Sequence, residues 1–90
     1  MDISRIPDGV YAGASQGYSG MIELEVKMGA GRIVSVDVRQ QKESNALDAF
    51  QEVPRRIVDE QVLNVAWVIG AKYTSRAIVA AVFRALQRAR

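Results

Sequence analysis

Cysteine and histidine are both absent from these 90 residues. Without cysteine there is no disulfide, no thiolate metal site and no cysteine nucleophile. Without histidine the chain lacks the commonest metal ligand and the usual general base, which puts Ser-His-Asp and Cys-His hydrolase chemistry out of reach. No apolar run approaches the roughly 20 residues that span a bilayer. The polar start Met1-Asp2-Ile3-Ser4-Arg5 is short of the apolar stretch of a signal peptide, and no segment names a compartment. What remains is ordinary globular material, 49% hydrophobic and 24% charged, of a length that predicts one water-soluble domain over residues 1–90. A piece cut from a longer protein would look the same. Acid is missing from one place in particular. All 10 acidic residues precede position 72, whereas residues 72–90 carry Lys72, Arg76, Arg84, Arg88 and Arg90. An anionic partner is therefore to be sought at the C-terminal end.

The pattern of apolar residues predicts an α+β fold: an antiparallel sheet covered by helices, with a long C-terminal helix. Pro7 and Asp8-Gly9 supply a turn into a short strand around Val10-Tyr11-Ala12. A loop with Gly17, Tyr18 and Gly20 follows, its glycines marking close packing or positive φ. Residues 21–28 alternate strictly, with Ile22, Leu24, Val26 and Met28 on one face and Glu23, Glu25 and Lys27 on the other. Across a hairpin loop of residues 29–32, Ile33, Val34, Val36 and Val38 continue the apolar face. Asn45 or Ser44 can cap a helix starting at Ala46, with Leu47, Phe50 and Val53 turned inward. Pro54 should interrupt it and open a second segment over residues 55–61. Residues 62–69 read as a buried strand or an extended connector, with Trp67 in the core. Thr74 or Ser75 then caps the strongest helix, whose Ala77, Ile78, Ala81, Val82, Ala85, Leu86 and Ala89 keep helical spacing.

Chemistry concentrates in the turn Gly70-Ala71-Lys72-Tyr73-Thr74-Ser75-Arg76. The first amides of a helix have no internal partner and carry the positive end of the peptide dipoles. A glycine upstream lets a ligand approach the backbone, and two hydroxyls add donors, so the segment has the makings of a phosphate cradle. Lys72 and Arg76 sit where acids are normally favoured. They are either solvated surface cations or the partners of an anion. Glu43, by composition, is a surface carboxylate. Tyr11 and Tyr18 read as packing, and Glu23 and Glu25 as a solvent face with no catalytic pairing.

Taken in order, Asp8-Gly9-Val10-Tyr11-Ala12-Gly13, Gly17-Tyr18-Ser19-Gly20-Met21-Ile22, Gly31-Arg32-Ile33, Glu43-Ser44 and Gly70-Ala71-Lys72-Tyr73-Thr74-Ser75-Arg76-Ala77-Ile78 resemble the FMN-binding domain family from about Asp8 to Ala89. That family includes the flavin-carrying domains of sodium-pumping quinone reductases, of ion-translocating electron-transfer complexes and of fumarate-reductase-like flavoproteins. Its flavinylation motif is Asp, two variable residues, Ser, Gly, Ala and the Thr that is esterified to the FMN phosphate. Here the Asp position is Ala66, the Ser position Ile69 and the Thr position Lys72. A lysine has no hydroxyl, so a phosphoester at Lys72 is excluded.

The resemblance implies a non-covalent FMN-binding module that passes electrons between partner redox centres. Lys72 and Arg76 would hold the phosphate, Thr74 and Ser75 would donate to it, and Gly70-Ala71 with Tyr73 would form the close-approach turn. Ile69 would either offer apolar surface to the isoalloxazine or simply fill the space. Glu43, carried over from the family, would be a polar contact on the opposite wall. The alternative is a flavin-free interaction module that keeps the fold. A nucleic-acid binder fits less well, because the Arg-lined outer face of the last helix shows no aromatic residue to stack bases. A redox partner protein is implied, no nucleic acid and no membrane span, and the broad apolar face of the last helix offers a seam for a homodimer.

Overall fold

A computed structural model describes residues 2–45 and 47–89. The expected helix start at Ala46 and the last cation, Arg90, lie outside them. The alternating stretch forms the central strand of a three-stranded antiparallel sheet in the order β1-β2-β3, with β1 at Gly9–Gln16, β2 at Met21–Gly29 and β3 at Arg32–Gln40. Two helices, α1 at Ala49–Glu60 and α2 at Lys72–Gln87, complete the α+β architecture. α2 lies across β1 and β2, α1 against β3, and the helices touch each other. None of the described helices is long and apolar enough to cross a membrane.

The inward row of β2, Ile22, Leu24, Val26 and Met28, is fully buried with Ile33 of β3. The β2–β3 turn is tighter than the four-residue loop the glycines suggest. Only Ala30 and Gly31 form it, both with positive φ, as a two-residue hairpin demands. Val34 is a further departure. Met28 pairs with Ile33 and Lys27 with Ser35, so Val34 is a bulge residue and points to solvent. The extra residue shifts the strand's phase, which returns Val36 and Val38 to the face that Ile33 occupies. β1 is longer than its alternation suggested and runs to Gln16 because Gly13 and Ser15 continue its inward row.

Gly13 sets how closely the long helix sits. A Cβ there would run into the Ala81 carbonyl oxygen and come within 2.7 Å of the Ala85 nitrogen. The helix answers with small residues, and Ala77, Ile78, Ala81, Val82, Ala85 and Leu86 are all buried within the chain. The face that the sequence offers for a dimer seam is thus already covered.

α1 corrects two expectations. It runs unbroken through Pro54, which surrenders one backbone bond, to the Phe50 carbonyl, while the buried row Ala49, Val53 and Ile57 holds the remainder together. Its first residue is Ala49, with Asp48 at the cap and no side-chain capping bond, so neither Ser44 nor Asn45 caps it and Leu47 is exposed. At its end Gln61 adopts a left-handed conformation, and its side-chain amide accepts from the Ile33 N–H (2.8 Å) and donates to the Ile33 carbonyl (2.9 Å). That side chain stands in for a neighbouring strand at the edge of β3.

Residues 62–71 form the extended connector and no strand. They are not core. Trp67 is 53% exposed and Ile69 98% exposed, so Ile69 fills no interior space. A continuous apolar run cannot by itself distinguish a buried strand from a segment that lines a groove.

Candidate functional site

Three segments meet beside the start of α2. The first is the β1–β2 loop, closed by a bond from the Gly17 N–H to the Gly20 carbonyl (2.7 Å). The second follows β3 and carries Glu43. The third is the turn Gly70-Ala71 leading into α2.

Glu43 ties them together. Its carboxylate accepts from the Tyr18 N–H (2.7 Å), the Ser19 N–H (2.7 Å) and the Thr74 hydroxyl (3.3 Å). At 7% exposure it is buried, contrary to its reading as a surface carboxylate. Burial alone would push its pKa up. The amides of Ser19 and Tyr18, helped by the hydroxyls of Ser19 and Thr74, outweigh that and hold the carboxyl below the usual glutamate value. Gly17 makes room for it, since a Cβ there would stand 2.7 Å from Glu43 Oε1 and 2.8 Å from Ile22 Cδ1. The paired glycines of the loop therefore signal close approach, and neither needs positive φ.

α2 begins three or four residues earlier than a cap at Thr74 or Ser75 predicts. Ala71 occupies the cap position and offers no side-chain acceptor, and the first helical bond runs from the Ser75 N–H to the Ala71 carbonyl (2.9 Å). The N–H groups of Lys72, Tyr73 and Thr74 thus have no partner among the described residues. Thr74 and Ser75 are both engaged inside the protein, Thr74 as a donor and Ser75 as an acceptor. The Thr74 hydroxyl is committed to Glu43, and Ser75 Oγ accepts from the Val68 N–H (3.1 Å). Both residues are buried.

A cavity of about 360 Å³ opens over this junction, and Glu43, Gly70, Ala71, Lys72, Tyr73 and Thr74 line it together with Tyr18, Ser19, Ser44 and Asn45. Ser75 and Arg76 face away, into a second cavity of about 330 Å³ between the connector and α2. The structure thus puts the two cations expected to act together on different cavities, although their i, i+4 spacing keeps them on one side of the helix. Glu43 spends its charge on the loop amides, so the Lys72 ammonium and the uncapped amides of α2 form the positive end of the first cavity.

Of the aromatic side chains around it, Tyr73 is expected from the sequence, whereas Tyr18 and Trp67 read there as packing and core. Tyr18, 80% exposed, is no packing residue; its ring lies 6.3 Å from that of Tyr73. The Lys72 Nζ sits 5.0 Å from the centre of the Trp67 ring, a cation–π contact across the wall between the cavities. Phe83 and Tyr73 are exposed on α2, so its outer side is not free of aromatics as expected. The signal available for Tyr18 was its position between two close-packing glycines. For Trp67 there was none beyond its place five residues before Lys72.

Residues 17–87 match the sequence profile of the FMN-binding domain. Over 87 residues the chain is 30% identical to an NADH:acrylate oxidoreductase of Vibrio harveyi, an alignment that covers 94% of this chain and 9% of that protein. It is 36% identical over 87 residues to an uncharacterised protein of Treponema pallidum, covering 94% of this chain and 24% of the other. The chain therefore spans between about a tenth and a quarter of these relatives.

Proposed function

The chain belongs to the FMN-binding domain family, and from that premise we propose that residues 1–90 act as one module that holds FMN without a covalent bond and carries electrons to or from a partner redox protein. The observation that carries this reading is Lys72, an exposed cation at the uncapped start of α2, on the wall of the 360 Å³ cavity. Unpaired amides and an ammonium suit a dianionic phosphate, and the geometry calls for no acid in the first helical turn. The exposed rings of Tyr18 and Tyr73 and the side chain of Ile69 offer apolar surface to a planar ring system. The donor set and the cavity, at the small end of the roughly 300–1,000 Å³ typical of ligand pockets, fit such a ligand.

Non-covalent holding has two supports. Lys72 cannot form a phosphoester. The neighbouring hydroxyls of Thr74 and Ser75 are buried and already bonded, to Glu43 and to the Val68 amide. Bound FMN supplies one- and two-electron chemistry. The protein's part is to fix orientation: Glu43 holds the loop 17–20 against α2, and Lys72 supplies the charge. Within this reading Arg76 no longer belongs to the phosphate site, and Thr74 acts through Glu43. The name of the Vibrio relative supports a redox role, while NADH and acrylate are said of that protein alone.

The test is the colour of the purified protein together with its intact mass. Flavin absorbance that is lost on acid precipitation, with the mass unchanged, is the expected result. Colourless protein that ignores added FMN would favour the flavin-free module.

A further inference from the structure

We propose that the second cavity, between the connector 62–68 and α2, is a separate binding site for a small apolar monoanion, such as a carboxylate on a short aliphatic chain. Its volume of about 330 Å³ is lined by Val53, Leu63, Val65, Trp67, Val79 and Phe83, with Arg76 on its wall. Apolar walls with one charged group describe a site that takes an apolar body and orients it by its head. Arg76 pairs with no carboxylate among the described residues, unlike Arg55 and Arg56, which both meet Glu52. Residues 72–90 contain no acid to neutralise it.

The wall is built rather than a loose flap. On one side of Trp67 the Arg56 guanidinium donates to the Ala66 carbonyl (2.8 Å), and on the other the Val68 N–H donates to Ser75 Oγ (3.1 Å). These bonds hold the indole in a half-exposed position over the cavity. Phe83 is likewise 41% exposed, although Ile78, Val82 and Leu86 of the same helix are completely buried. A ligand that covers Trp67 and Phe83 removes from water the apolar surface that folding leaves there. The inference does not rest on the flavin reading, because the two cavities share no lining residue.

The chain's one tryptophan reports on this site directly. Octanoate, 1-octanol and octylamine are titrated into the protein, with and without FMN, following Trp67 emission and the thermal midpoint. Octanoate should produce a saturable blue shift and raise the midpoint. Octanol should bind about tenfold more weakly for want of a charge-assisted contact, and octylamine not at all. Arg76→Gln, a change at an exposed position, should reduce octanoate to the level of octanol. Equal binding of octanoate and octanol, an unsaturable response, or displacement of octanoate by FMN would each overturn the proposal.

Discussion

The two cavities flank the same first turns of α2 and are built on opposite principles. The one at the helix start is polar. Its buried carboxylate consumes two loop amides and a hydroxyl, leaving Lys72 and three helix amides unanswered. The one on the helix flank is apolar, with aromatic and aliphatic walls and Arg76 as its charged member. A one-turn step along a helix, from Lys72 to Arg76, is enough to move a cation from one chemistry to the other. The Lys72 ammonium over the Trp67 ring is where the two meet. Charge on a helix face is thus no guide to a ligand until the neighbouring segments are placed.

The sharpest way to break the contrast is to remove Glu43. Glu43→Ala leaves the Tyr18 and Ser19 amides without an acceptor, and hydrogen bonds to a charged group contribute about 1.5–3 kcal/mol. A loss of about 3 kcal/mol in denaturant unfolding is expected, together with loss of FMN binding. Unchanged stability would mean that the loop does not depend on Glu43. Acid offers a milder form of the same test. Because its folded pKa lies below the unfolded value, the contribution of Glu43 is complete above the usual glutamate range and is lost as pH falls through the folded pKa. Below about pH 4.3 the wild type should therefore lose stability more steeply than Glu43→Gln. Parallel acid profiles would remove the carboxylate from the account. The smallest effect concerns the Lys72–Trp67 contact between the two cavities. Trp67→Ala removes a partly exposed cation–π contact, of about 0.5–1 kcal/mol, so FMN should bind about two- to fivefold more weakly and riboflavin unchanged. Combined with Lys72→Ala, the Trp67 substitution should have no further effect on FMN affinity. An undiminished effect in the double variant would show that the indole does not act through Lys72.

Regular periodicity made the fold legible where one face is buried and the other solvated. Residues 21–28 and the small-residue stripe of α2 are such cases. Where a single residue breaks the rule, the pattern misleads. Val34 continues an apolar row in sequence but is expelled by a bulge, and Pro54 looks like a helix break although tertiary packing carries α1 through it. The position of the site was legible from the helix start, but its internal partners were not. Nothing local tells that Glu43 reaches back to amides 24 and 25 residues away, or that the Thr74 hydroxyl turns inward to meet it. Exposure of the connector was equally hidden, because apolar content alone does not say whether a segment is covered.

The central claim is that the Lys72 ammonium and the free amides of α2 recognise a phosphate, and titration with FMN and riboflavin tests it most directly. The two ligands share the ring system and differ in the phosphate. Isothermal titration of wild type and Lys72→Ala with each ligand gives four affinities. Wild type should bind FMN far more tightly than riboflavin, and Lys72→Ala should weaken FMN by roughly 10- to 150-fold while leaving riboflavin unchanged. Equal FMN affinities for wild type and Lys72→Ala would contradict the claim and return Lys72 to the solvated surface.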